Sequence, residues 1–100
     1  MTETLHIAGS CPCCHNGSQI FRRCDDGATL VVMCAECNAV WLDPADLGAG
    51  RARGTGVHTF EITGTALRVG GGAAGWATRE ELERAGWAGS IVRSVERKRR

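Results

Sequence analysis

Cys11-Pro12-Cys13-Cys14 and Cys34-Ala35-Glu36-Cys37 are two Cys-x-x-Cys pairs with nineteen residues between them. Each pair presents two thiols from one tight turn, and the stretch between is long enough to run out and back as a hairpin that brings the pairs together. Four soft sulfur ligands select zinc, with iron as the lesser choice. Two such pairs about 15 to 20 residues apart are the usual spacing of a zinc site. The sequence therefore predicts one Zn2+ per chain, held by Cys11, Cys14, Cys34 and Cys37. Disulfide bonding is the competing use of the cysteines. Met1 to Ser10 carries no basic stretch followed by an apolar core and a cleavage site, so the expectation is a cytoplasmic chain whose thiols stay reduced and available to metal.

Two further thiols, Cys13 and Cys24, stand outside the set. Cys13 lies within the first knuckle, pointing away from the ion but close enough for its positive charge to lower the thiol pKa; the plainer reading is a small residue filling a tight turn. Cys24 belongs to the far end of the hairpin. A redox switch on either would need a partner within disulfide reach. A thioredoxin-like use of Cys11 and Cys14 would need a βαβ context that the sequence does not supply.

The arms that position the ligands are Gln19 to Arg23 and Thr29 to Met33, joined by Cys24-Asp25-Asp26-Gly27. That turn carries the Asp-Gly pair that permits positive φ and a tight reversal. Ala39-Val40-Trp41-Leu42 reads as a third short strand. Asp43-Pro44-Ala45-Asp46-Leu47 then has the grammar of a helix start, with Asp43 as cap, Pro44 in the first helical position and Asp46 near the positive end. Capping accounts for the two carboxylates better than hydrolysis, since no nucleophile or second metal cluster lies nearby.

Cys-Pro-x-Cys, a hairpin, and Cys-x-x-Cys-x-x-Val-Trp-Leu-Asp before a short acidic helix together resemble the transcription-factor-IIB-like zinc ribbon of small bacterial proteins. The matching positions are Cys11, Pro12, Cys14, Cys34, Cys37, Val40, Trp41, Leu42, Asp43 and Leu47, so the resemblance covers Cys11 to Leu47. It implies a fold and a zinc ion rather than an activity. The family places Gly directly after each knuckle, where φ is positive; here the positions hold His15 and Asn38, residue types that tolerate that conformation. His15 is also an alternative ligand, although four cysteines already complete a closed tetrahedron.

The remainder is read as a 51–56 linker rich in Arg and Gly, a 57–92 unit and a basic 93–100 tail, after a 1–50 ribbon with its short helix; Ser90 to Arg100 reads as a strand or a frayed helix that ends in the charged tail. Val57 to Thr63 alternates, with His58, Phe60 and Ile62 on one face, and Gly64-Thr65 turns it toward Ala66 to Val69 as a hairpin. Gly70-Gly71-Gly72 lacks the residues of a phosphate loop and reads as a flexible connector. Thr78-Arg79-Glu80-Glu81 is a capping box that opens a helix from Arg79 to Ala85, with Gly86 as its stop. Trp76 and Trp87 bracket that helix and are expected to pin it to a sheet. The expected fold is small α+β: an N-terminal three-stranded zinc ribbon followed by a β-hairpin and a short capped helix.

Composition narrows the function. Fourteen glycines and five aromatics in one hundred residues limit the core, so zinc, which contributes on the order of 10 kcal/mol or more in finger peptides, is expected to carry much of the folding free energy. No apolar run is long enough for a membrane span. Net charge is +1, but the last ten residues carry an excess of positive charge and the body is mildly acidic. The leading expectation is a non-enzymatic zinc module that binds a protein partner. The alternatives are nucleic-acid binding or transcription-associated action through the basic tail with Arg51 and Arg53, and thiol redox or metal handling through Cys13 and Cys24.

Overall fold

The computed structural model describes residues 2–98. Their order is β1 (Thr2–Ser10), β2 (Ser18–Arg23), β3 (Leu30–Cys34), β4 (Val40–Trp41), a 3-10 turn at Ala49–Arg51, β5 (Gly75–Trp76), α1 (Arg79–Arg84), a second 3-10 turn at Ala88–Ser90, and β6 (Arg93–Lys98). All strand pairings are antiparallel and the strands lie in the order β4-β3-β2-β1-β6, with β5 also paired to β2. The expected arms and third strand are thus present as β2, β3 and β4. They do not stand alone as a three-stranded ribbon, because β1 and β6 continue the same sheet to one side.

The apolar run Val31-Val32-Met33 of β3 is buried throughout, as suits a strand covered on both faces. On one face Phe21, Val32 and Trp41 are cross-strand neighbours, and Ala77 and Leu82 of the α1 region close over them. On the other, Val31, Met33 and Val40 meet Cys24, Ile62 and Val69. A third cluster, Leu5, Ile7 and Ile20 with Trp76 against it, joins β1 to β2. Two turns of helix are too short to be stable alone. α1 is fixed by its tertiary contacts and by the expected capping box: the Glu81 N–H donates to Thr78 Oγ1 at 3.2 Å, and the Thr78 N–H donates to Glu81 Oε1 at 2.9 Å. Gly86 at φ 77 ends it as the sequence predicts. Trp87 packs on Phe21 with ring centroids 6.1 Å apart.

Three expected elements take another form. The 43–47 segment is a turn rather than a helix: Asp43 Oδ1 accepts from the Ala45 N–H at 2.8 Å, and the Asp43 carbonyl accepts from the Asp46 N–H at 3.1 Å. The cap is present without a following helix, because Trp41 Nε1 donates to the Gly48 carbonyl at 2.9 Å and holds the chain back against β4. Residues 57–69 make only isolated bridges, Thr55 to Ile62 and Glu61 to Arg68, instead of a continuous hairpin. Phe60 has φ 58, which interrupts the alternation, so that Ile62 is buried while His58 and Phe60 are exposed. The 51–56 stretch runs along β4, with Arg53 and Val40 exchanging both backbone hydrogen bonds, 2.9 and 2.7 Å.

In the basic 93–100 segment the structure takes the strand alternative rather than the frayed helix. Arg93 to Lys98 form a strand in register with β1, from Thr2 opposite Lys98 to Ile7 opposite Arg93. Arg99 and Arg100 lie outside the described residues.

Candidate metal centre

Each half of the centre is built at a strand end. The first knuckle links β1 to β2: the Cys11 N–H donates to the Gly17 carbonyl at 2.9 Å and the His15 N–H to the Cys11 carbonyl at 3.2 Å. The second follows β3, where the Cys34 N–H donates to the Ala39 carbonyl and the Asn38 N–H to the Cys34 carbonyl, both at 2.9 Å. His15 and Asn38 have φ 58 and 61, the left-handed conformation expected at these two positions. Pairing of Gln19 with Cys34 places the knuckles side by side. Beneath them, Gln19 Nε2 donates to the Leu47 carbonyl at 2.9 Å and ties down the loop after β4.

The sulfurs of Cys11, Cys14, Cys34 and Cys37 all lie within 4.8 Å of one another. Cys11 Sγ is 3.7 Å from Cys37 Sγ, and Cys14 Sγ is 3.7 Å from Cys34 Sγ. A tetrahedral ion with metal–sulfur bonds of about 2.3 Å requires sulfur–sulfur edges of about 3.8 Å. The thiols therefore fit a single four-coordinate ion. Cys11 and Cys34 are buried, Cys14 is half-buried and Cys37 is exposed. Cys11 and Cys34 also belong to the cluster of Phe21, Val32, Trp41 and Leu82, so the centre is continuous with the main core.

Without an ion Cys11, Cys34 and Cys37 do not ionise alike. Burial opposes a thiolate at Cys11, but the backbone N–H groups of Cys14 and Cys13 and the thiols of Cys34 and Cys37 outweigh it and bring Cys11 down to about 7. Burial pushes Cys34 up to about 12 and raises Cys37 as well. Near neutral pH the Cys11 sulfur is thus ready to engage a metal, and binding must displace protons from Cys34 and Cys37.

The remaining candidates fall away from this cluster. His15 is exposed and outside the four-sulfur group. Cys13 is exposed; its N–H donates to Cys11 Sγ at 3.4 Å, and its thiol is raised, by desolvation first and then by the neighbouring Cys11 charge. Cys24 is buried in the second core cluster, where burial and then Asp26 and Asp25 push it up to about 11. All six thiols are free.

Two residues of consequence escape the sequence reading. Gly17 is one: a Cβ there would lie 2.5 Å from Cys34 Sγ and 2.9 Å from Glu36 Cγ. The other is His6, buried on β1, with Nδ1 2.7 Å from Ser94 Oγ on β6. The apolar neighbours Leu5 and Ile7 were the available sign that His6 lies in a strand.

No family model, curated protein or solved structure matches this chain. Among the described residues no helix is long and apolar enough to cross a membrane.

Proposed function

We propose that this chain is a zinc-stabilised protein-interaction module with no catalysis of its own, working in the cytoplasm where its thiols stay reduced. The observation that carries the reading is the closed set of four sulfurs at tetrahedral separations. Four thiolates saturate zinc and leave no position for a water to be activated, so the ion shapes the fold instead of reacting. The Cys11 to Leu47 pattern of a transcription-factor-IIB-like zinc ribbon points the same way. Zn2+ is the assigned metal, one per chain, with iron as the alternative for the same ligands.

The competing readings have less support. Thiol chemistry at Cys24 is disfavoured by its burial, which with Asp26 and Asp25 raises the thiol to about 11. Nucleic-acid binding by a free basic tail is weakened by the pairing of that segment with β1, where Arg97 Nε donates to Glu3 Oε1 at 2.7 Å. The test is elemental analysis of protein purified without added metal, with crosslinking in the native host to reveal a protein partner. About one zinc per chain is expected; neither zinc nor iron would overturn the assignment, and recovery of nucleic acid in place of protein would overturn the partner class.

A further inference from the structure

The register of the sheet opens a fork on its β1 side. β1 pairs with β2 through Ile7, Gly9 and Ser10, while from Thr2 to His6 its paired neighbour is β6. The edge of β2 that β1 leaves is taken at Arg22 and Arg23 by Trp76 and Gly75 of β5. Between the diverging strands lies a groove of about 770 Å³, walled by Glu3, Thr4 and His6 on one side and 74–79 on the other. Its size is within the range of about 300–1,000 Å³ typical of ligand sites.

Four arginines from three distant stretches of the sequence gather there. Arg22 and Arg23 from β2, Arg79 from α1 and Arg97 from β6 all line the groove. Two of them are matched internally, Arg23 by Glu81 at 2.7 Å and Arg97 by Glu3 at 2.7 Å. Arg22 and Arg79 remain as surplus positive charge. Arg22 is held in place: its Nε donates to the Val69 carbonyl at 2.8 Å and its guanidinium carbon lies 4.5 Å from the Trp76 ring centre. Burial, and then the charge of Arg23, work against the Arg22 cation. An anion beside it would relieve the like-charge repulsion, and a planar guanidinium suits a carboxylate bidentately.

The walls distinguish among anions. Among the described residues no strand pairs with the β1 edge away from β6 over Thr2–His6 or with the β5 edge away from β2, and Glu3, Thr4, His6, Gly75 and Trp76 line the groove. Strand edges of this kind alternate backbone donors and acceptors, which another extended chain can pair in full, whereas a phosphate accepts from the N–H groups and offers nothing to the carbonyls. We propose that this groove binds an extended acidic peptide segment of a protein partner, whose backbone adds to the strand edges and whose carboxylates meet Arg22 and Arg79. The assignment rests on the protein-interaction reading above and supplies its partner chemistry.

The test uses the full zinc-loaded chain and a fluorescein-labelled octapeptide alternating Glu and Val, followed by anisotropy, with a Lys and Val peptide as control. The acidic peptide alone is expected to bind, to weaken as salt rises, and to shift the indole N–H of Trp76 in NMR spectra. Arg79→Glu should weaken it roughly tenfold or more, with Arg79→Gln intermediate. Arg84→Glu, the same charge change on an exposed residue of α1 outside the groove, should leave it unchanged, and equal zinc content in every variant shows that the fold is kept. Absence of binding, equal loss with Arg84→Glu, or displacement by a thymidine oligonucleotide or inorganic phosphate at lower concentration than unlabelled peptide would overturn the proposal. If the peptide fails while zinc is retained and crosslinking in the host still yields a protein, the groove assignment falls alone. Loss of the zinc result would instead remove the reading beneath it.

Discussion

At Gly17 even one added carbon meets the metal-binding sulfurs. A methyl group there would lie 2.5 Å from Cys34 Sγ, and the nearest yielding neighbour is Glu36, itself inside the second knuckle. Relief must come from moving Cys34, whose backbone is fixed by its pairing with Gln19. Gly17→Ala is therefore expected to lose about 1–3 kcal/mol of site stability, as overpacking does elsewhere, and to hold zinc roughly ten- to a hundredfold less tightly. Competition with a chromogenic chelator measures this. Gly48→Ala is the control, since nothing lies within 4 Å of that added carbon; equal zinc release from the two variants would sink the argument. The contrast explains what was readable at this scale. The four cysteines that cluster were legible because their constraint is local, two thiols per turn, and so was the left-handed backbone at His15 and Asn38. Gly17 was not, because the group that excludes a side chain there arrives from another strand.

Among the elements, β6 is the one whose attachment most needs explanation, since its residues are all exposed. Backbone pairing with β1 holds it, together with the His6 to Ser94 hydrogen bond and the ion pair of Arg97 with Glu3. His6 makes this attachment pH-dependent. Burial, and then the Arg79 charge, lower its pKa from the ordinary 6.5; Glu3, Arg22, Arg23 and Arg97 also line the groove beside it. With the folded value below the unfolded one, the unfolded chain binds the proton more readily. Stability is then complete above about 6.5 and is lost as pH falls through the lowered folded value. Urea midpoints measured with zinc in excess should drop from pH 7.5 to pH 5.5, and drop less in His6→Asn; the difference between proteins cancels any acid weakening of the metal site. Parallel losses in both would contradict the role given to His6. The strands β2, β3 and β4 and helix α1 were legible from apolar runs, the Asp-Gly turn and the capping box. β6 was legible only as one of two alternatives, strand or frayed helix, because a charged edge strand with no buried face leaves no periodic pattern in its sequence.

For the molecule as a whole, the metal centre and the core are one structure. Cys11 and Cys34 share a cluster with Phe21, Val32, Trp41 and Leu82, and the sheet that carries them also joins the two ends of the chain, Thr2 opposite Lys98. That closure and the meeting of Arg22, Arg23, Arg79 and Arg97 in one groove depend on contacts between distant segments. For this reason the linear charge pattern suggested an acidic body with a separate basic tail. The same coupling governs what happens when metal is withdrawn. Structural zinc is worth on the order of 10 kcal/mol, comparable to the entire net stability of about 5–15 kcal/mol that a small domain retains. Chelation under reducing conditions should therefore unfold the sheet rather than loosen the knuckles alone. Trp41, fully buried and hydrogen-bonded to the Gly48 carbonyl, reports on this directly. Tryptophan emission, to which Trp76 and Trp87 also contribute, should shift to the red in step with zinc release and with loss of amide-exchange protection in β2 and β3, and all three should recover when zinc is restored. Complete zinc removal with unchanged emission and protection would mean that the apolar clusters hold the fold without the ion.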